Sequence, residues 1–236
     1  MDLSELMFEL SHERRVEVLK AVSKKSIKVT EVAESLKMSH SEISRHISRL
    51  MDAKLIDKNS DGSYFLTTVG KMIISYLPEF SFIAKNVDFF LNHDVSFLPR
   101  EFRRRLGELK MANIIEKTLQ AVEESINLFK MAEEFVWAMS SEVMEEPGKI
   151  LNLKLQENPN FGWRGIFPRE IIENPENERV LDEIHTTFLI NEKMAILFFP
   201  DLDGKTDFSK AFVSDDEKFY NWCRDLFLYY WEKAKI

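Results

Sequence analysis

The run from Val29 to Gly70, VTEVAESLKMSHSEISRHISRLMDAKLIDKNSDGSYFLTTVG, decides the fold of the chain's first part. Ser39, followed three residues later by Glu42, forms a capping box that starts a helix. Beyond it Ile43, Ile47, Leu50 and Met51 share one helical face. The opposite face carries His40, Ser41, Ser44, Arg45, Ser48, Arg49 and Asp52. One side of such a helix packs. The other, small, polar and basic, can enter a major groove, where Arg reaches guanine edges or phosphates. Upstream, Thr30 is expected to cap a shorter helix that buries Val32, Ala33 and Leu36. With Lys37-Met38 as the link, the pair reads as a helix–turn–helix. Downstream, Leu55 to Lys58 and Tyr64 to Leu66 read as strands joined by the turn residues Asn59 to Ser63. That hairpin is a wing, after which Thr67 or Thr68 opens another helix.

Working outward toward the N-terminus, Leu3, Leu6, Met7 and Leu10 form an amphipathic stripe. Ser11 is expected to cap a helix burying Val16, Leu19 and Val22. The quoted run resembles winged-helix repressors of the ArsR-like superfamily over roughly residues 5–75. Those proteins share a helix pair ending S-R-H-(I/L)-x-x-L, then a wing, then L-T-x-x-G. The resemblance implies double-stranded operator DNA as partner. It assigns DNA contact to Ser39, Ser41, Ser44, Arg45 and Arg49 on the recognition helix, to Lys58, Asn59 and Tyr64 at the wing, and to Thr30 at a helix N-terminus facing phosphate. His46, beside Arg45, either joins them or turns back into the domain. Metal-sensing members carry a Cys-x-Cys pair before the recognition helix or a His/Asp set on the last helix. Here Glu31 to Lys37 has no thiol, and the five histidines show no paired-ligand spacing, so no metal is expected.

Past the wing, Val69, Ile73, Tyr76, Phe80, Ile83, Val87 and Phe90 step by alternating fours and threes, as in a heptad seam. Pro78 predicts a kink or a fresh helix within it. The seam suggests a homodimer through Ile73, Tyr76, Phe80, Ile83, Val87 and Phe90, which suits two DNA half-sites.

Further on, Pro99 opens a helix with Phe102, Leu106 and Leu109 inside and Arg100, Arg103, Arg104 and Arg105 near its start, a cluster best read as a solvated face. A second helix has Ile115, Leu119, Val122, Ile126 and Phe129 at helical spacing. Then the period changes to strands: Phe135–Met139, Gly162–Pro168, His185–Ile190, Lys193–Phe199 and Ala211–Val213. A helix lies at Lys149–Glu157, and another opens at Ser214 with Glu217 as a capping box, burying Phe219, Trp222, Leu226, Phe227 and Tyr230. On Leu98-Pro99-Arg100-Glu101-Phe102, Ala132 to Trp137, Gly162 to Ile166 and Asp216 to Trp231, this part is similar to the regulatory domain of archaeal methanogenesis-regulator-type proteins. More loosely, by strand order, it resembles the phospholipase-D-like sensor domain of sugar-responsive archaeal regulators. That resemblance implies effector sensing.

No catalytic motif supports an enzyme. A phospholipase-D-type site needs a His and a Lys two residues apart, and His185 is followed at that offset by Thr187. Nucleotide-binding Gly loops, G-x-S-x-G and H-E-x-x-H are absent from the sequence. Asp201-x-Asp203-Gly204 reads as a polar turn rather than a calcium loop. For an effector, Trp137, Trp163, Arg164, Arg179 and Trp222 are the candidate pocket residues. Arg164 sits in a strand and needs an anionic partner if buried, either a small anionic effector or an internal carboxylate. Cys223, beside Trp222, is a packed thiol in this reading.

Composition bounds the rest. A chain of 236 residues suits two domains. The first 77 residues hold twelve Lys/Arg against eleven Asp/Glu, and the remainder twenty against twenty-nine. The acidity of the second part discourages random sticking to nucleic acid, and any DNA face in the first must come from arrangement. The absence of a long apolar run, of a signal-peptide pattern at the N-terminus and of a second cysteine point to a cytoplasmic protein without a membrane partner. The expectation is an α+β chain: a winged helix–turn–helix over 1–77, a helical connector and dimerisation region over 78–131, and an α/β sensor domain over 132–236. No cofactor is expected. The alternative is a winged-helix adaptor that binds protein and not specific DNA.

Overall fold

The computed structural model describes residues 1–235. The chain divides into two units, Met1–Pro78 and the part from Glu79 onward.

The first unit opens with α1 (Leu3–Leu10), capped by Asp2, whose Oδ1 accepts from Glu5 N at 2.8 Å. Then come α2 (Glu13–Lys24), α3 (Val29–Leu36) and α4 (His40–Asp52). A hairpin follows, β1 (Ile56–Lys58) against β2 (Tyr64–Leu66), antiparallel with Ile56 opposite Leu66. Tyr64 also exchanges both backbone hydrogen bonds with Ile27, tying the α2–α3 link to the wing. Val18, Leu19, Val22, Val32, Ile43, Ile47, Leu50, Leu55 and Ile56 are the buried core, so helix faces and hairpin close over one apolar centre. α5 (Thr68–Lys85) leaves the wing. Thr67 starts it, accepting from Gly70 N at 3.0 Å. A Cβ at Gly70 would lie 1.9 Å from the Leu55 carbonyl oxygen, which is why the L-T-x-x-G pattern ends in glycine.

Several local expectations change here. His12, not Ser11, precedes α2, and Ser11 instead donates to the Phe8 carbonyl. Lys28, not Thr30, holds the N-cap position of α3, with its N–H donated to Glu31. On α1, Leu3 and Met7 are exposed while Glu9 is buried, because an arginine pair waits beneath that carboxylate. α5 runs helically through Pro78 without a new start.

The second unit begins with short pieces: α6 (Val87–Phe90), α7 (Arg100–Arg103) and a 3-10 segment (Leu106–Met111). After β3 (Asn113–Ile115) come α8 (Thr118–Met131), β4 (Phe135–Met139), α9 (Glu145–Glu157), β5 (Gly162–Phe167) and β6 (Glu178–Val180). The chain ends with β7 (Thr187–Asn191), β8 (Ala195–Pro200), β9 (Thr206–Ser214) and α10 (Glu217–Lys233). One seven-stranded sheet runs β3-β9-β8-β7-β4-β5-β6. β4, β5 and β6 are mutually parallel, and the other pairings are antiparallel.

Side chains alternate across this sheet into two cores, so Phe188-Leu189-Ile190 of β7 and all of β8 are apolar. Met139, Ile166, Phe188, Leu197, Phe199 and Phe212 face Trp222, Leu226 and Phe227 of α10. Val136, Ala138, Trp163, Leu189, Ile196 and Phe198 face Leu128 and Phe129 of α8 and Leu151 of α9. The result is a mixed sheet with helices on both sides, and the whole chain is α+β.

The segment 78–131 is not a purely helical connector. It contributes edge strand β3, and Phe82, Phe89, Leu98, Phe102, Leu106 and Leu109 join the second unit's core. α8 is rotated from the expected stripe: Ala121, Ser125, Leu128 and Phe129 are buried, Leu119 is exposed, and Ile115 belongs to β3. Asp216, not Ser214, caps α10, accepting from Lys218 and Phe219 N–H.

Candidate nucleic-acid interface and ligand faces

The Ser39–Glu42 capping box forms as the sequence predicts, with Glu42 Oε2 accepting from Ser39 N at 3.0 Å. Those two bonds from Ser39, hydroxyl first, hold the Glu42 carboxyl below its usual range. α4 buries Ile43, Ile47 and Leu50 and exposes His40, Ser41, Ser44, Arg45, Ser48 and Arg49. Among the described residues Arg45 has no carboxylate within ion-pair distance. Its guanidinium is free.

Arg49 is placed differently. It pairs with Glu9 of α1, and Arg15 of α2 takes the other side of that carboxylate at 3.1 Å. Arg15 also donates to the Glu9 and Phe8 carbonyls at 2.8 and 2.6 Å. The Phe8 ring lies 5.4 Å from one guanidinium and 5.6 Å from the other. Arg49 therefore clamps α1 onto the helix–turn–helix as well as edging its polar face. His46 turns inward, 3% exposed, and its ring meets His12 at 4.8 Å. Burial first, then the neighbouring His12, Arg45 and Arg15, push its pKa below 6.5. Together His12, Arg15, Arg45, His46 and Arg49 surround a concavity walled on one side by Phe8, a basic hollow beside α4.

At the wing Lys58 is exposed, with its ammonium 5.5 Å from the Tyr64 ring. Tyr64 is 8% exposed, so its ring supports the hairpin. Asn59 is exposed but its amide donates to Ser63 Oγ at 2.9 Å within the turn. Thr30 is exposed on the first turn of α3. The structure thus gathers Ser39, Ser41, Ser44 and Arg45 on one outward face, with Arg49 at its edge, and gives Tyr64 a packing role. Reading the sequence missed Glu9 and Arg15, whose spacing across two helices carries no motif.

The expected effector residues separate onto two faces of the second unit's sheet. Arg164 lies over Trp137 at 4.9 Å and Trp231 at 5.3 Å. Arg179 stacks on Trp231 at 4.3 Å and donates to its carbonyl at 2.6 Å. Neither has a carboxylate partner among the described residues, so the internal salt bridge considered for Arg164 is replaced by indole faces. Trp163 points to the other face, where its Nε1 donates to Glu178 at 3.0 Å. Trp222 is fully buried, donating to the Phe102 carbonyl at 3.3 Å, and is core. Cys223 is buried beside it, and burial raises its thiol pKa well above the ordinary range.

Two further polar features serve structure. Arg105 bridges Glu108 and Asp225 at 2.9 and 3.0 Å. His93, buried and stacked on Phe89 at 3.9 Å, spends Nδ1 on the Phe89 carbonyl and Nε2 on Asp207. Both ring nitrogens are engaged, so this His–carboxylate pair fastens α6 to β9. Burial raises the Asp207 pKa, but bonds from Ser209 and His93 outweigh it and hold the carboxyl low. Asp201 accepts from Asp203 and Lys205 N–H, making the turn before β9. Among the described residues no helix is long and apolar enough to cross a membrane.

No curated protein matches the chain. Among solved structures, TrmBL2, an archaeal chromatin protein described with a novel mode of DNA binding, is 10% identical over 95% of this chain and 93% of its own, with a TM-score of 0.42. CalO1, the methyltransferase of calicheamicin biosynthesis in its SAH-bound form, is 16% identical over 78% of this chain and 68% of its own, with a TM-score of 0.23. The chain's own N-terminal part is recognised by sequence: residues 3–85, from the first residue of α1 to the last of α5, match the family model of the HVO_A0261 N-terminal domain.

Proposed function

We propose that the protein is a DNA-binding transcriptional regulator of archaeal winged-helix type that acts as a homodimer and answers to a small molecule bound by its second unit. One observation carries this reading: α4 presents an exposed face of serines with an unpaired Arg45, while its opposite face is spent in the core. A face evolved for a protein partner alone would be expected to offer aromatic or aliphatic anchors, and this one has none. The basic hollow behind it suits a phosphate of the same duplex.

The dimer rests on α5 and α6. Tyr76, Phe80, Ile83 and Val87 are 43–59% exposed, and Val69 and Met72 continue the same stripe. Ile73 and Phe90 instead pack partly into the cores of their own units, so Met72 takes the place expected of Ile73 in the seam. Exposed apolar residues along α5, with Val87 of α6 beyond them, call for a partner, and a second copy places two recognition helices on two half-sites.

For the sensor, Arg164 and Arg179 offer two guanidiniums beside one indole, where a small anion could dock. Fluorescence anisotropy on genomic fragments, at two salt concentrations, tests the DNA reading: specific binding that weakens with salt is expected, and none at low salt overturns it. Phe80→Asp with Ile83→Asp should yield monomers in sedimentation, and an intact dimer refutes the seam.

A further inference from the structure

The second unit holds a cavity of about 150 Å³ between α9 and the face of the sheet formed by β4, β5 and β7. A cavity of roughly that size accommodates a molecule like benzene. Its walls are Phe129, Phe167 and the Trp163 indole, with Leu151 above. A Cβ at Gly165 would meet the Phe167 ring at 2.3 Å and Glu178 Cγ at 3.0 Å, so glycine there keeps this corner assembled.

The charge of the lining is one-sided. Glu178, 9% exposed, accepts from Trp163 Nε1 at 3.0 Å and from the Glu173 and Asn174 N–H groups at 2.8 Å each. It has no cationic partner among the described residues, and no Lys, Arg or His lines the cavity. Glu142 and Glu173 add two exposed carboxylates at its edge. A buried carboxylate held by donors but not neutralised favours a positive guest, and aromatic faces attract a cation through their quadrupoles. For an anion, the only charged side chains in the lining, Glu142, Glu173 and Glu178, would be of like sign.

We propose that this cavity binds a small organic cation, an amine or quaternary ammonium with a compact apolar body. This site is separate from the anion-binding face of Arg164 and Arg179, on the opposite face of the sheet, and rests on the sensor reading above for its regulatory meaning only.

The chain has four tryptophans, and only Trp163 lines this cavity, so its indole N–H resonance reports on the site. The full-length protein is titrated with choline and with 3,3-dimethylbutan-1-ol, the neutral isostere, with tetramethylammonium and benzylamine as further probes. Trp163→Phe assigns the signal. Choline should move the Trp163 resonance saturably, and the isostere should bind at least about tenfold more weakly. Glu142→Gln with Glu173→Gln, both exposed and harmless to the fold, should weaken choline roughly fivefold. Ala138→Leu, filling the floor of the cavity, should abolish the response while the other three indole signals stay in place.

Equal response to the neutral isostere overturns the proposal. So does a response confined to the other three indoles, or a Trp163 signal that no probe moves at millimolar concentration. Choline that saturates Trp163 yet leaves operator affinity unchanged supports the site and counts against the sensor reading alone.

Discussion

In the first unit Arg45 stands on α4 among serines with no carboxylate to hold it, whereas in the second unit Arg164 and Arg179 lie flat on indole faces. Both units contain arginines without an ion-pair partner, but they use them in opposite ways. A guanidinium surrounded by small hydroxyls remains hydrated and available, and a flat acceptor such as a guanine edge can displace its water. A guanidinium stacked on tryptophan has already exchanged part of its hydration for the ring. The lack of a salt bridge is therefore no evidence of a binding role by itself. What surrounds the cation decides.

Glu9 tests the contrast from inside the first unit, where charge is spent inward. Glu9→Ala leaves Arg15, 8% exposed, without its carboxylate while it keeps two backbone carbonyls. The expected loss is about 3 kcal/mol of unfolding free energy, the lower end for breaking a buried pair. Urea denaturation measures it, and a loss under about 1 kcal/mol would class the cluster with surface pairs.

Arg45→Ala and Arg49→Ala sharpen the same contrast on one helix. Arg45→Ala should leave the melting temperature unchanged and weaken specific DNA binding by about 1–3 kcal/mol. Arg49→Ala should weaken it less and should loosen α1, since its partner is Glu9. Anisotropy titrations and thermal melts on both variants separate these outcomes. Unchanged affinity for Arg45→Ala would remove α4 as the reading helix.

Arg164→Met probes the second unit. If the indole sandwich is the whole role of the side chain, the variant loses about 1 kcal/mol, the scale of partly buried cation–π contacts. It should also lose any thermal stabilisation by phosphate or citrate if an anion docks beside Arg179. A loss of several kcal/mol would instead show that the side chain contributes packing well beyond its stacking on Trp137 and Trp231.

How much of this was legible in the sequence follows from how local each signal is. The Ser39–Glu42 box, the α4 stripe and the Asn59–Ser63 turn depend on neighbours within a few residues, and all three form where they were expected. β4, β5, β7 and β8 were legible because strands buried on both faces are mostly apolar, with runs such as Phe135–Met139, Phe188-Leu189-Ile190 and Ala195–Pro200. β3 and β6, three residues each, carry too little pattern to announce themselves and exist only through their sheet partners. The phase of α8 slipped because Ser125, a polar residue, sits fully buried with its hydroxyl donated to the Ala121 carbonyl, while Leu119 faces solvent. The site residues divide the same way. Arg45 could be placed from its own helix, but Arg49 needed Glu9, forty positions away, and Trp163 needed Glu178 to reveal which face it served.

The smallest expected effect is a pH dependence in the first unit, carried by His46. Burial and the adjacent His12, Arg45 and Arg15 hold its pKa below 6.5, so the folded state resists the proton that the unfolded state accepts. The unfolded chain then binds more protons on average as pH falls through 6.5, and stability must fall with it, by at most about 1.4 kcal/mol per pH unit for a single group. Below the folded-state pKa both states are protonated and this contribution stops growing. His46→Phe keeps an aromatic ring against His12 and removes the titration. Urea denaturation at pH 7.5 and 5.5 should therefore show a larger loss in the native protein than in the variant. Equal losses would mean that His46 reaches water freely, and the inward orientation of that ring, which separates it from the exposed side of α4, would have to be given up.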